Sequence, residues 1–240
     1  METRVFNLII LDESGSMDCI KRQALSGVNE TLQTIRAAQE KYPEQKQLVT
    51  FVPFQSGSIK FVRDCVNISE VKDLRDDEYN PGTCTPLYDT IGLSVNHLKS
   101  QVAPVDSVLV TIITDGYEND SKEFDAHAVS RLIEEMKGKG WLFTYIGANQ
   151  DAIAVARALN IHNAMNFVQD DSGTKEMFRK ERKARERFNA KTFEAHAEVM
   201  ACCASMPSAV LEERLKTLNK SMAESANYFE EDSDVAQLSR

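Results

Sequence analysis

Apolar, β-branched runs of strand length recur along the chain, and each ends in an acidic or glycine turn before apolar residues reappear every three to four positions. A chain with that switch of period has few architectures open to it. Residues 5–11 form the first run. It stops at Asp12-Glu13-Ser14-Gly15-Ser16-Met17, after which Ile20, Leu25, Val28, Leu32 and Ile35 fall at helical spacing. Nearly continuous apolar runs belong to strands covered on both faces, and such strands are mostly parallel. Residues 48–54 and 58–66 read as two strands around Gln55-Ser56-Gly57, a short hairpin at one sheet edge.

The alternation continues. Residues 86–98 read as a helix with Pro86 in its first turn, 105–114 as a strand ending at Asp115-Gly116, and 121–137 as a helix closed by Gly138 and Gly140. Residues 141–146 read as a strand, 149–159 as a helix and 164–168 as a short last strand. The expected fold is α/β: a doubly wound, mostly parallel sheet flanked by helices, with one antiparallel edge strand. From Ser172 the strands cease, and two helices are expected over 174–205 and 207–229. The division expected is therefore an α/β domain over 1–171, a helical extension over 172–230 and a fraying acidic tail over 231–240.

With 240 residues, 42% of them hydrophobic, the chain can bury a sizeable core, and a net charge of -9 argues against coating nucleic acid or an anionic membrane. No run approaches the roughly 20 apolar residues a membrane span requires. The N-terminus lacks a small-residue cleavage site, so no secretion leader is expected. Cys19, Cys65, Cys84, Cys202 and Cys203 are odd in number without CxxC spacing, and read as reduced thiols of a cytoplasmic protein.

The chemistry-bearing residues sit where strands end, which is where open α/β sheets present ligands. Asp12, Ser14 and Ser16 have the spacing D-x-S-x-S, so an extended turn aims one carboxylate and two hydroxyls the same way. Thr114-Asp115-Gly116 brings a second carboxylate to a strand tip, and the loop Pro81-Gly82-Thr83-Cys84-Thr85-Pro86 carries hydroxyls able to reach the same place. Oxygen-only donors of this mix suit Mg²⁺ or Mn²⁺, whereas zinc would want more Cys and His. Asp12, Glu13, Asp18, Asp115, Glu118 and Asp120 would crowd one end of the sheet, and such a cluster calls for a counter-cation.

DESGSM after the first strand, TPLYD at the start of a helix and TDG after a later strand together resemble the three metal-site motifs of von Willebrand factor type A domains, in the order of that family. The resemblance covers residues 5–168. It implies that Asp12, Ser14, Ser16, Thr85 and Asp115 form a metal ion-dependent adhesion site (MIDAS) for Mg²⁺ or Mn²⁺, and that the protein is no enzyme but an interaction module receiving a partner's carboxylate at the metal. Many members have glycines before the middle threonine where this chain has Thr83-Cys84, so Thr85 is taken for its place before PLYD and Thr83 is held in reserve. Stand-alone intracellular members from bacteria and phage resemble this chain better than secreted adhesion modules do.

Plainer readings exist for each motif. Ser14 and Ser16 could cap the helix that follows, and Asp115 could be a turn residue. A Mg²⁺-dependent phosphohydrolase or phosphotransferase of the haloacid dehalogenase type would need a second carboxylate two positions after Asp12, where Ser14 stands. A serine hydrolase would need GxSxG, and the four histidines (His97, His127, His162, His196) fall on or beyond helices. The basic concentration over 175–187 could touch nucleic acid or an acidic partner. Its Glu176–Lys180 and Glu181–Arg185 pairs at i,i+4 read instead as a solvated helix face.

Overall fold

The computed structural model describes residues 3–148, 152–203 and 205–229. Its elements alternate as the periodicity requires: β1 (Thr3–Asp12), α1 (Lys21–Lys41), β2 (Gln45–Gln55), β3 (Ser58–Ile59), β4 (Arg63–Asn67) and α2 (Leu87–Lys99) come first. β5 (Ser107–Thr114), α3 (Ala126–Lys137), β6 (Trp141–Gly147), α4 (Ala152–Ala158), β7 (Asn163–Asn166), α5 (Asp171–Cys202) and α6 (Ser208–Ser225) follow.

The sheet runs in the order β3-β2-β1-β5-β6-β7, with β4 also paired to β2. Strands β2, β1, β5, β6 and β7 are parallel, and β3 and β4 are antiparallel to β2. The chain moves outward to β2 from β1 and then returns to lay β5 on the other side, so the direction of winding reverses between β1 and β5. That reversal opens a crevice at the carboxyl ends of the two strands. Register places Leu11 opposite Ile113, which sets Asp12 beside Thr114 and Asp115.

Alternation along β1 feeds both faces, as the two-residue period of a strand demands. Phe6, Leu8 and Ile10 pack with residues of α2, α3 and α4, while Ile9 and Leu11 pack with α1 and with Met177 and Phe178 of α5. The sheet is therefore a mostly parallel one covered by helices on both sides. The helices after residue 171 contribute to this core. Phe178 lies so close to α1 that a Cβ on Gly27 would come within 2.0 Å of its ring, so the missing side chain permits the crossing.

Three expectations are corrected in detail. The edge strand expected over 58–66 is broken into β3 and β4, with a register shift on β2 and a left-handed Cys65 (φ 50°). The helix expected from Ser121 starts at Ala126, because Asp125 caps it by accepting from the Ala128 amide, and residues 122–124 instead donate their amides to the Asp89 carboxylate. The Glu181–Arg185 pair is not on a solvated face: both side chains are buried, with Arg185 donating to Glu181, Asn7 and Thr111. The first residues of the helix expected over 149–159, and the tail 231–240, lie outside the described residues.

No helix among the described residues is long and apolar enough to cross a membrane. All five cysteines are unpaired.

Candidate metal centre

Each expected ligand comes from a loop at the carboxyl end of the sheet. Asp12 closes β1, and its Oδ1 accepts the Ser14 amide at 2.7 Å, a short turn that points Ser14 and Ser16 back toward it. Ser14 Oγ and Ser16 Oγ are 3.1 Å apart, and Ser16 Oγ donates to Asp115 Oδ1 at 2.8 Å. The β1 and β5 loops are thus joined through a hydroxyl and a carboxylate. Gly116 marks where the third loop enters: a Cβ there would lie 3.2 Å from Thr85 Oγ1, 3.8 Å from Asp12 Oδ2 and 3.9 Å from Ser16 Oγ. Oxygens from all three motifs surround one small volume, and the absence of a side chain at Gly116 keeps it open.

Thr83, the reserve, turns elsewhere. Its Oγ1 donates to Gln55 Oε1 at 3.1 Å and lies 3.3 Å from the Ser56 carbonyl. Thr85 is held from behind by Asn119, whose Oδ1 accepts the Thr85 amide at 2.8 Å and whose own amide donates to the Thr85 carbonyl at 3.2 Å. The acids nearby divide into two sets. Glu118 accepts from the Tyr88, Asp120 and Ser121 amides, Asp120 accepts from Ser56 Oγ, and Glu13 accepts from the Asn80 amide. These carboxylates brace the loops. Asp12 and Asp115 have no Lys or Arg partner among the described residues and face the shared volume.

Burial makes the charge of that pair costly. Asp12 is wholly buried, and desolvation pushes its carboxyl from 3.8 to about 6, against the pull of hydrogen bonds from Thr114 and the Ser14 amide and with a further push from Asp115. Asp115 is raised as well, again mainly by burial. The Tyr79 hydroxyl donates to the Asp12 carbonyl at 2.7 Å, and burial beside the negative charges of Asp12, Asp115 and Glu13 holds it well above its ordinary range. A divalent cation would favour the ionised form of both aspartates, and hard oxygen donors of this kind fit Mg²⁺ or Mn²⁺.

Two residues absent from the sequence reading complete the site. Asn119 carries a signal only in hindsight, as the second polar residue after TDGY. Gln169 carries none: it lies between β7 and α5, yet its Nε2 donates to Asp115 Oδ2 and, at 2.9 Å, to the Ser16 carbonyl.

No family model matches the chain, and no curated protein matches it in sequence. Solved structures do resemble it. The PilB minor pilin from Streptococcus sanguinis aligns with a TM-score of 0.55 at 13% identity, over 78% of this chain and 62% of that one. A von Willebrand factor type A structure from Catenulispora acidiphila aligns with a TM-score of 0.51 at 15% identity, over 77% of this chain and 43% of that one. The chain spans less than two thirds of either protein. At such identities the likeness is one of fold, and that fold is of the type seen in the von Willebrand factor type A structure.

Proposed function

We propose that this chain is a protein-interaction module of the von Willebrand factor type A kind that depends on Mg²⁺ or Mn²⁺. In this reading Asp12, Ser14, Ser16, Thr85 and Asp115 hold the cation directly or through water. The observation that carries it is the meeting of Thr85 Oγ1, Asp12 Oδ2 and Ser16 Oγ around Gly116, with Asp115 tied to Ser16. When bound, the cation supplies an open coordination position to a carboxylate oxygen of the partner. Asp12 and Asp115 supply the negative charge that balances the cation, Ser14, Ser16 and Thr85 supply neutral oxygens that add none, so the outward position can still accept an anionic oxygen, and Asn119 keeps Thr85 in place. Exposed Tyr117, in the same loop as Asp115, offers a partner an aromatic contact beside the metal.

Binding rather than catalysis is the proposed role. The test is retention of a partner from native lysate by immobilised protein in Mg²⁺. Loss of that partner in EDTA and in folded Thr85→Ala and Ser14→Ala variants supports the reading. Equal retention in all conditions moves the interaction surface away from the metal loops.

A further inference from the structure

The two most exposed large apolar side chains among the described residues, Val168 (66% exposed) and Tyr117 (54%), both stand in loops at the carboxyl end of the sheet. Apolar residues exposed singly need no explanation, but Val168 lines a groove of about 490 Å³ whose other walls are largely apolar too. Met165 on β7, Phe167 just after it and Met177 on α5 supply those walls. Methionines repack readily around apolar side chains of different shape. Among the described residues the only charged ones lining the groove, Glu176 and Lys180, pair with each other at 4.0 Å, so the groove asks no charge of what fills it.

Its position matters as much as its chemistry. Gln169 lines the groove, and the same side chain donates through Nε2 to Asp115 Oδ2 and to the Ser16 carbonyl. Ala148, also in the wall, donates its amide to the Thr114 carbonyl at 3.1 Å. One glutamine side chain, about 5 Å from Cα to amide nitrogen by ordinary bond lengths, therefore separates the groove from an expected metal ligand. Along an extended strand, side chains two positions apart point the same way and stand about 6.6 Å from each other. That spacing lets one side chain reach the metal while the other enters the groove.

We infer that the partner segment received here is extended and carries a two-part motif: an Asp or Glu for the metal and, two positions away, a large apolar residue (Leu, Met or Phe) for the groove. The acid half rests on the proposed role of the metal loops. The groove supplies the other half, because burial of the apolar side chain adds affinity and discriminates among acidic segments.

The test pans a phage-displayed library of random dodecapeptides on the immobilised full chain in Mg²⁺ and elutes with EDTA. Expected are clones in which an acidic residue and a large apolar one lie two positions apart. Their retention should fall at least about tenfold when the acid is changed to its amide and, separately, when the apolar residue is changed to Ser; both changes leave the folded chain untouched. Val168→Lys, at an exposed position, is expected to keep the near-UV circular dichroism and the bound Mn²⁺ of the wild type yet retain these clones at least about tenfold less. EDTA-eluted clones with an acid but no apolar residue at that spacing, or equal retention by Val168→Lys, overturn the two-part motif and leave the metal reading standing. No EDTA-eluted clone from protein that binds Mn²⁺ does the same. A chain that binds no Mn²⁺ overturns the metal reading and this inference together.

Discussion

Replacing Asp12 by Asn should stabilise the metal-free protein while removing its response to metal. Asp12 is wholly buried, and its carboxyl is pushed from 3.8 to about 6. A rise of that size corresponds to about 3 kcal/mol of destabilisation from the ionised form at pH 7.5. The sign follows from proton counting. Between pH 4 and 6 the folded chain holds more protons at this position than the unfolded chain, so the stability the neutral carboxyl contributes is complete below about 3.8 and is lost as pH rises through about 6.

Asparagine keeps the shape and removes the charge. Its Oδ1 can still accept the Ser14 amide, and Thr114 Oγ1, which already accepts the Gly116 amide at 3.1 Å, can turn its hydrogen to the Gly116 carbonyl. In EDTA at pH 7.5 the variant is expected to gain up to about 3 kcal/mol in urea unfolding, or roughly 6–12 °C in Tm. The gain should vanish below about pH 4, where both proteins carry a neutral group. With Mg²⁺ the order should reverse, because only the wild type gains from binding. An unchanged or lowered Tm for Asp12→Asn in EDTA at pH 7.5 would refute the electrostatic account of the site.

Further outcomes follow from other contacts. Gly116→Ala places a methyl 3.2 Å from Thr85 Oγ1 and should weaken Mn²⁺ binding more than about tenfold with under about 1 kcal/mol of stability change, read by metal titration beside urea unfolding. Arg185→Met leaves Glu181 buried without its partner and should cost about 3–5 kcal/mol in urea unfolding, much of it recovered in Arg185→Met/Glu181→Leu. Gly27→Ala must push Phe178 aside and should cost about 1–3 kcal/mol by the same measurement.

What could be read from the residues was what local spacing determines. Asp12, Ser14 and Ser16 declare themselves because alternate residues lie on one side of an extended turn, and Asp115 because a continuous apolar strand stops at it. The mostly parallel, helix-covered sheet followed from apolar runs alternating with helical spacing, whereas the order of its strands did not. Partners set by the path of the chain far away were not legible. Gln169 reaches Asp115 from 54 positions on, through a linker with no motif. Arg185 belongs to a basic stretch whose i,i+4 pairing is the same for a solvated helix and for a buried one; only the crossing of α5 over the sheet, where Asn7 and Thr111 offer oxygens, decides between them. The start of α3 was misplaced for a related reason. Asp89, some thirty residues earlier, takes the amides that would otherwise have opened the helix.

The claim that the metal loops form one cation site is tested most directly by titrating chelator-stripped protein with Mn²⁺ and counting bound ions by electron paramagnetic resonance. The account predicts one Mn²⁺ per chain in the wild type, displaced by excess Mg²⁺, with Asp12→Asn and Thr85→Ala each losing it while Thr83→Ala retains it. Absence of binding at millimolar Mn²⁺, or equal binding by the wild type and Asp12→Asn, would contradict it.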